Sequence, residues 1–196
     1  MNISELNDWL LSKNQEPLIV GVLNVTPDSF TDGGKFLDPN TAVNHAMDMI
    51  HNGADIIDIG GESTRPFSDS VSEEEELSRV ISIIQKIREK TNIAISIDTT
   101  KSVVAEKACD VGANIVNDIS ALSFDDSMIN VVSRYDCPII LMHMIGNPKT
   151  MQESPSYKNI ISEIINHLLD RASFALKNGV KKHNIILDPG IGFGKT

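Results

Sequence analysis

Cysteine and long apolar runs are both scarce in this chain of 196 residues. Its two cysteines, Cys109 and Cys137, lie far apart, and neither has further ligands at metal-binding spacing. Two such cysteines favour free thiols in a reducing, cytoplasmic setting over a disulfide framework or a zinc site. No window approaches 18 consecutive apolar residues, so the sequence predicts no membrane span.

Basic charge is also in short supply, with 17 Lys and Arg against 27 Asp and Glu and a formal net charge of −10. This balance argues against nucleic acid or an anionic membrane as a partner, although the field inside a cleft can still favour an anionic small substrate. Apolar residues make up 41% and charged residues 22%, as in ordinary globular proteins. The length predicts a single domain over 1–196.

Short apolar segments alternate with helical patterns along the whole chain. The predicted strands are 18–23, 54–59, 93–97, 114–116, 138–142 and 185–187. The predicted helices are 41–51, 72–90, 103–111, 125–134 and 160–179, with a short N-terminal helix packed on the outside of the fold. A repeated strand–helix order predicts a parallel sheet covered by helices.

Polar residues end most of these strands, notably Asn24, Asp98, Asn117, His143 and Asp188. A doubly wound sheet concentrates its chemistry at one switch point, whereas a (β/α)₈ barrel distributes it over the carboxyl ends of many strands. We therefore predict an α/β fold of the TIM-barrel type. Only about six βα units are present, so the predicted barrel is incomplete.

The residue types at the strand ends suit recognition of a flat heterocycle rich in hydrogen-bonding groups. Carboxylates accept pairs of N–H bonds, and a carboxamide both donates and accepts. Asn24, followed by a Gly-rich loop, is a candidate oxygen ligand for Mg²⁺ and phosphate, although a lone Asn more often caps a turn. The sequence contains no nucleophilic triad and no metal-binding His cluster, so no catalytic nucleophile is expected.

Three further features have simpler structural interpretations. The Gly190–Lys195 segment lacks the spacing of a phosphate-binding loop, and its glycines indicate either close approach to a ligand or a plain turn. His143 lies in an apolar context and is expected to be packed at the rim of the core. Ser72 and Glu75 predict a capping box at the start of a helix.

Six segments together resemble dihydropteroate synthase, in the order and at the spacing of that family, from about residue 18 onward. They are 24–30 (NVTPDSF), 60–66 (GGESTRP), 96–99 (SIDT), 117–119 (NDI), 141–144 (LMHM) and 187–195 (LDPGIGFGK). The resemblance implies a (β/α)₈ barrel that joins a pterin pyrophosphate to p-aminobenzoate in folate biosynthesis. It also implies a target of sulfonamides.

The resemblance assigns the pterin site to one group of residues. Asp98, Asn117 and Asp188 would bind the edge of the pterin ring. Met144 and Phe193 would line the pterin and p-aminobenzoate pockets.

The resemblance assigns the remaining substrate groups to other residues. Asn24 would contribute to an Mg²⁺–pyrophosphate site, and the loop after it would close over the reaction. Thr64 and Arg65 would help to order p-aminobenzoate. The reaction would proceed by loss of pyrophosphate and attack of the amine, without a protein nucleophile.

The chain departs from the family pattern at its C-terminal end. The family's last two strands carry a lysine for pterin and p-aminobenzoate and a Ser-x-Arg-x-His segment for pyrophosphate, and neither occurs here. We expect a truncated barrel domain, marginally stable and inactive when made alone. A non-catalytic pterin binder and the pterin domain of a folate or corrinoid methyltransferase stay open as alternatives, as does a homodimer.

Overall fold

Residues 1–26, 39–65 and 67–195 are described in the computed structural model of the chain. Six strands form one sheet in sequence order, and every neighbouring pair is parallel. The strands are β1 Val20–Asn24, β2 Ile56–Gly60, β3 Ala94–Asp98, β4 Ile115–Asp118, β5 Ile139–Met142 and β6 Ile185–Asp188. A sequential order without reversal confirms the barrel-type α/β arrangement and rules out a doubly wound sheet.

Six α-helices accompany the strands in the described part of the chain. They are α1 Ile3–Leu11, α2 Pro39–His51, α3 Glu73–Arg88, α4 Ser102–Asp110, α5 Met128–Tyr135 and α6 Ile160–Lys177, and a short 3₁₀ turn, Lys182–Asn184, precedes β6. None of these helices combines the length and apolarity needed to cross a membrane.

The two faces of the sheet carry different cores. The outward face packs on α2 to α5 through fully buried residues such as Ile57, Ile59, Ile95 and Ile97. The inward face carries Ile56, Ala94 and Ile115 at its N-terminal end. Because side chains alternate along a strand, the polar residues two and four positions further on share that inward face.

Helix α1 closes the N-terminal end of the inward face, and the prediction that it packs on the outside of the fold was wrong. Its Leu6 and Leu10 are buried against the inward strand residues. Asn2 caps the helix with Glu5, and the Met1 carbonyl accepts a hydrogen bond from the Ala94 N–H at 2.8 Å. The contacts of Met1, Leu6 and Leu10 with the strands are remote in sequence, so an amphipathic pattern alone did not reveal them.

Some predicted boundaries also shift for local reasons. Helix α5 begins at Met128, since Asp125 instead accepts hydrogen bonds from the N–H groups of Ser127 and Ser102. Only half of the predicted capping box on α3 forms: the Ser72 hydroxyl accepts from the Glu75 N–H, while the Glu75 carboxylate pairs with Arg79.

Candidate active site

Four of the strands place one continuous row of residues across the carboxyl end of the sheet. Asn24 is the register partner of Gly60, Gly60 of Asp98, and Asp98 of Asn117. A Cβ atom on Gly60 would lie 3.5 Å from Asn24 Oδ1 and 3.4 Å from Asp98 Oδ2. Both polar side chains therefore reach over Gly60, whose missing side chain leaves the space between them open.

Asp188 joins the same face one pleat nearer to the loops. Asn117 pairs with Ile140, and Met142, two residues beyond Ile140, pairs with Asp188. The Asp188 Oδ1 atom accepts a hydrogen bond from the Gly190 N–H at 2.7 Å. One carboxylate oxygen thus holds the loop that follows β6. The structure brings Asn24, Asp98, Asn117 and Asp188 to one face, as the strand-end pattern predicted.

A third carboxylate, Asp58, lies directly beneath this row, and the sequence analysis did not identify it. It is buried in the middle of β2, and its Oδ2 accepts a hydrogen bond from Asn117 Nδ2 at 3.1 Å. The sequence did contain an indication of this site, since Asp58 is a charged residue within the otherwise apolar run 56–59. Charged side chains are rarely buried without a partner.

The buried carboxyls of Asp98 and Asp58 lack donors for one oxygen each. In the described residues, neither Oδ1 atom has a hydrogen-bond partner. Burial raises the pKa of Asp98 well above its usual range, and the nearby charge of Asp58 raises it further. Burial also raises the pKa of Asp58. Buried polar atoms without a partner are rare, and together with a raised pKa they are typical of functional sites.

A buried ion-pair network connects the loops after β2 and β3. Lys101 Nζ binds the fully buried Glu76 on α3 at 2.6 Å and also pairs with Glu62. Glu62 accepts a further hydrogen bond from the Val71 N–H at 3.1 Å. The network anchors both ends of the loop that carries the predicted p-aminobenzoate residues.

Thr64 and Arg65 lie in that loop and are not joined to the row. Thr64 is half-buried and Arg65 is exposed, and among the described residues no hydrogen bond connects either side chain to Asp98 or Asn117. The loop is instead closed on itself, since the Ser68 hydroxyl donates to the carbonyls of Ser63 and Arg65.

The loops after β5 and β6 are locked together at Gly190. This glycine has φ +64°, and a Cβ atom there would lie only 2.1 Å from the His143 carbonyl oxygen. This close approach is to another loop, so the expected approach of the segment to a ligand stays a prediction. Met144 and Phe193 are half-buried on these two loops.

Lys195 holds the same pair of loops from the other side. Its ammonium donates to the carbonyls of His143 and Phe193 at 2.9 and 2.8 Å and lies 3.0 Å from His143 Nδ1. Burial and the Lys195 charge lower the pKa of His143 to about 4, so the imidazole is neutral and accepts at Nδ1. His143 is buried, which confirms the predicted packed histidine.

Binding of Mg²⁺ at Asn24 stays a prediction. Within the described ranges, no group of three or more His, Cys, Asp or Glu residues could hold a metal ion. Asn24 Oδ1 and Asp98 Oδ2 flank one open space, which fits Mg²⁺ only as part of a shell completed by phosphate and water. The loop predicted to close over the site, 27–39, lies outside the described residues except for Pro39, and Pro66 lies outside them as well.

Comparison with known proteins identifies similar chains. A dihydropteroate synthase of Clostridium beijerinckii is 53% identical over 178 residues, covering 91% of this chain and 64% of the relative. The Yersinia pestis dihydropteroate synthase, solved with a sulfonamide drug, superposes with a TM-score of 0.86 at 40% identity and covers 92% of this chain. The Xanthomonas albilineans enzyme with 4-aminobenzoic acid gives 0.85 at 39% identity, again over 92% of this chain.

This chain spans 65% and 64% of those two solved chains, respectively. Residues 20–196 match the family described as "Pterin binding enzyme". That range includes every strand and all of the row residues. The chain therefore belongs to the pterin binding enzyme family.

Proposed function

We propose that this chain carries the pterin site of a dihydropteroate synthase. That enzyme condenses 6-hydroxymethyl-7,8-dihydropterin pyrophosphate with p-aminobenzoate to give 7,8-dihydropteroate and pyrophosphate. The observation that supports the proposal best is the row that places Asp98 beside Asn117, below Asp188. The synthase relatives and the family membership point to the same chemistry.

The proposed mechanism uses these residues for binding and charge stabilisation. The N–H groups of the pterin edge would donate to Asp98, to Asn117 and to the Asp188 oxygen that Gly190 does not occupy. The carboxylates stabilise positive charge on the pterin as pyrophosphate leaves. The aromatic amine then attacks the carbon that pyrophosphate has left, and its surplus proton passes to the released pyrophosphate. Positioning and electrostatics account for the rate, without a covalent enzyme intermediate.

The remaining groups are assigned to the loops. Met144 and Phe193 would line the pockets, and Thr64 and Arg65 would order p-aminobenzoate, the position at which sulfonamides would compete. Asn24 would be an oxygen ligand of Mg²⁺, which when bound neutralises charge on the pyrophosphate. Two free cysteines in the described chain support a cytoplasmic setting, and a homodimer is part of the same proposal.

Calorimetry with 6-hydroxymethylpterin tests the pterin site through Asp188→Asn. The asparagine can still accept the Gly190 N–H but loses the charge, so we expect affinity to fall roughly ten- to hundredfold, the value of a charge-assisted hydrogen bond. Asp126→Asn, an exposed carboxylate, is the matched control and should bind as the unaltered chain does. Equal affinity in all three proteins would contradict the assignment of Asp188.

The same titration with pterin pyrophosphate and Mg²⁺ tests Asn24. Asn24→Ala should weaken binding of the pyrophosphate ligand and leave plain pterin nearly unchanged, because only the former carries phosphate oxygens for the metal. If both ligands lose affinity equally, Asn24 has a structural role. Addition of p-aminobenzoate then separates a synthase, which forms dihydropteroate, from a non-catalytic pterin binder.

A further inference from the structure

The hydrogen bond between Asn117 and Asp58 has a defined polarity. Asp58 accepts this bond at Oδ2, and the amide nitrogen is the only donor on the Asn117 side chain. Nδ2 of Asn117 therefore faces Asp58 Oδ2, at 3.1 Å, and Oδ1 of Asn117 faces away from it. The reverse orientation would bring two acceptor oxygens together inside the protein, which is unfavourable.

Asp58 is itself held rigidly and lies below the ligand row. It lies in the centre of β2, paired on one side with Val22 and on the other with Ser96, and its side chain is buried. The row of Gly60, Asp98 and Asn117 separates it by one pleat from the open end of the sheet.

We propose that Asp58 is a positioning residue that fixes the Asn117 carboxamide so that its Oδ1 is presented to the ligand as an acceptor. The inference rests on the proposed pterin site and adds a residue to it. It also predicts specificity. The carboxyl of Asp98, whose Oδ2 borders the open space at Gly60, then forms a set of acceptors with Asn117 Oδ1 and the second oxygen of Asp188, which selects a ring edge rich in N–H donors.

Two substitutions of Asp58 separate positioning from simple loss of a buried charge. Asp58→Leu removes the acceptor at similar volume, whereas Asp58→Asn retains an oxygen that can accept from Asn117 Nδ2. The matched control is Asp118→Asn, which also removes a buried carboxylate. Asp118 follows Asn117 on β4, but its carboxylate binds Ser120 and the Leu122 N–H instead.

Two readouts are needed, one without ligand and one with it. The first is NMR of the Asn117 side-chain NH₂ group in the free protein, where a bond to Asp58 slows hydrogen exchange. The second is calorimetry with 6-hydroxymethylpterin. We expect Asp58→Leu to speed the exchange and to weaken binding about ten- to hundredfold. Asp58→Asn should restore slow exchange and most of the affinity, and the Asp118 control should change neither.

The outcomes distinguish this inference from the proposed function. If the unaltered chain does not bind the pterin, the proposed function fails, and the exchange measurement still decides the role of Asp58. Unchanged exchange in Asp58→Leu, or an equal loss of affinity in the Asp118 control, overturns the positioning role. If Asp58→Leu does not fold, Asp58→Asn carries the test, since fast exchange of the Asn117 amide in that variant would also overturn it.

Discussion

The individual residues of this site are arranged at the expense of stability. Asp58 and Asp98 are acids within the interior of a sheet, each with an oxygen that lacks a donor in the described structure. Isolated buried carboxylates are unfavourable, and proteins retain them mainly where a ligand or a reaction uses them. The raised pKa of both groups follows from this burial.

The raised pKa of Asp98 predicts a pH-dependent effect of Asp98→Asn on stability. The folded protein binds the Asp98 proton more tightly than the unfolded chain, for which the pKa is near 3.8. The stability associated with this group is therefore complete below pH 3.8 and is lost as pH rises through the folded value. We expect Asp98→Asn to be more stable than the unaltered chain at pH 8, with a smaller difference at pH 5.

Urea unfolding of both proteins at the two pH values measures this difference. His143, with its pKa lowered to about 4, destabilises the fold as pH falls from 6.5 towards 4. The contribution of His143 to the pH dependence of stability has the opposite sign to that of Asp98. It is the same in both proteins, so it cancels when their stabilities are compared. A stability difference that does not depend on pH would show that Asp98 is not the group responsible.

At the level of the elements, the loops after the strands are held by contacts across the site. The turn after β4 has left-handed φ angles at Ala121 and Leu122, +52° and +66°. Arg171 on α6 donates to both of their carbonyls, and Asp118 accepts the Leu122 N–H. Backbone strain of this kind persists only where surrounding contacts stabilise the strained conformation. Here the strained residues lie in the turn that leads on from the strand of Asn117.

Gly190 and Gly192 provide a matched pair for the loops after β5 and β6. Both have positive φ, but a Cβ atom on Gly192 would meet nothing within 4 Å, whereas one on Gly190 would overlap the His143 carbonyl. Gly192→Ala should lower the free energy of unfolding by about 1–2 kcal/mol, the cost of a left-handed backbone conformation for a residue with a side chain. Gly190→Ala should lower the free energy of unfolding by roughly 1–3 kcal/mol more, because its Cβ atom would also overpack against the His143 carbonyl.

Urea unfolding and pterin calorimetry check this pair. We expect Gly190→Ala to weaken pterin binding as well, because the shifted loops carry Asp188, Met144 and Phe193. Equal losses of stability in the two variants would show that the loops do not depend on this close approach.

At the level of the whole molecule, the described surface is unusually apolar in two places. Helix α6 exposes Ile161, Ile165, Leu169 and Leu176 along one face, and the edge strand β1 exposes Val20 and Val22. Among the described residues, β1 and β6 do not pair with each other. Contiguous exposed apolar surface is typical of sites of association.

We therefore predict that a polypeptide of these 196 residues self-associates through α6, with a second copy as the partner. A double variant, Ile165→Lys with Leu169→Lys, should shift it towards the monomer, since a charge on each copy opposes burial of the face. Val103→Lys on α4 replaces an isolated exposed apolar residue and is the control. Light scattering after size exclusion, over a range of concentrations, measures the mass; a monomer at every concentration would contradict the prediction.

The sequence by itself determined the order of the strands and helices and the polar character of the strand ends. These features are local: apolar periodicity identifies each element, and parallel strands must bring their carboxyl ends to one edge. For the same reason Asn24, Asp98, Asn117 and Asp188 could be placed together before any contact was known. The family segments then supplied their expected roles.

Only the tertiary structure decided which partners these residues have. The bond from Asn117 to Asp58 joins positions 59 residues apart, and that from Lys195 to His143 joins positions 52 apart. Helix α1 reached the inward face rather than the outside for a similar reason, since its apolar stripe fits either surface. Such contacts depend on the register of the strands and the depth of each side chain, which no local pattern of residues specifies.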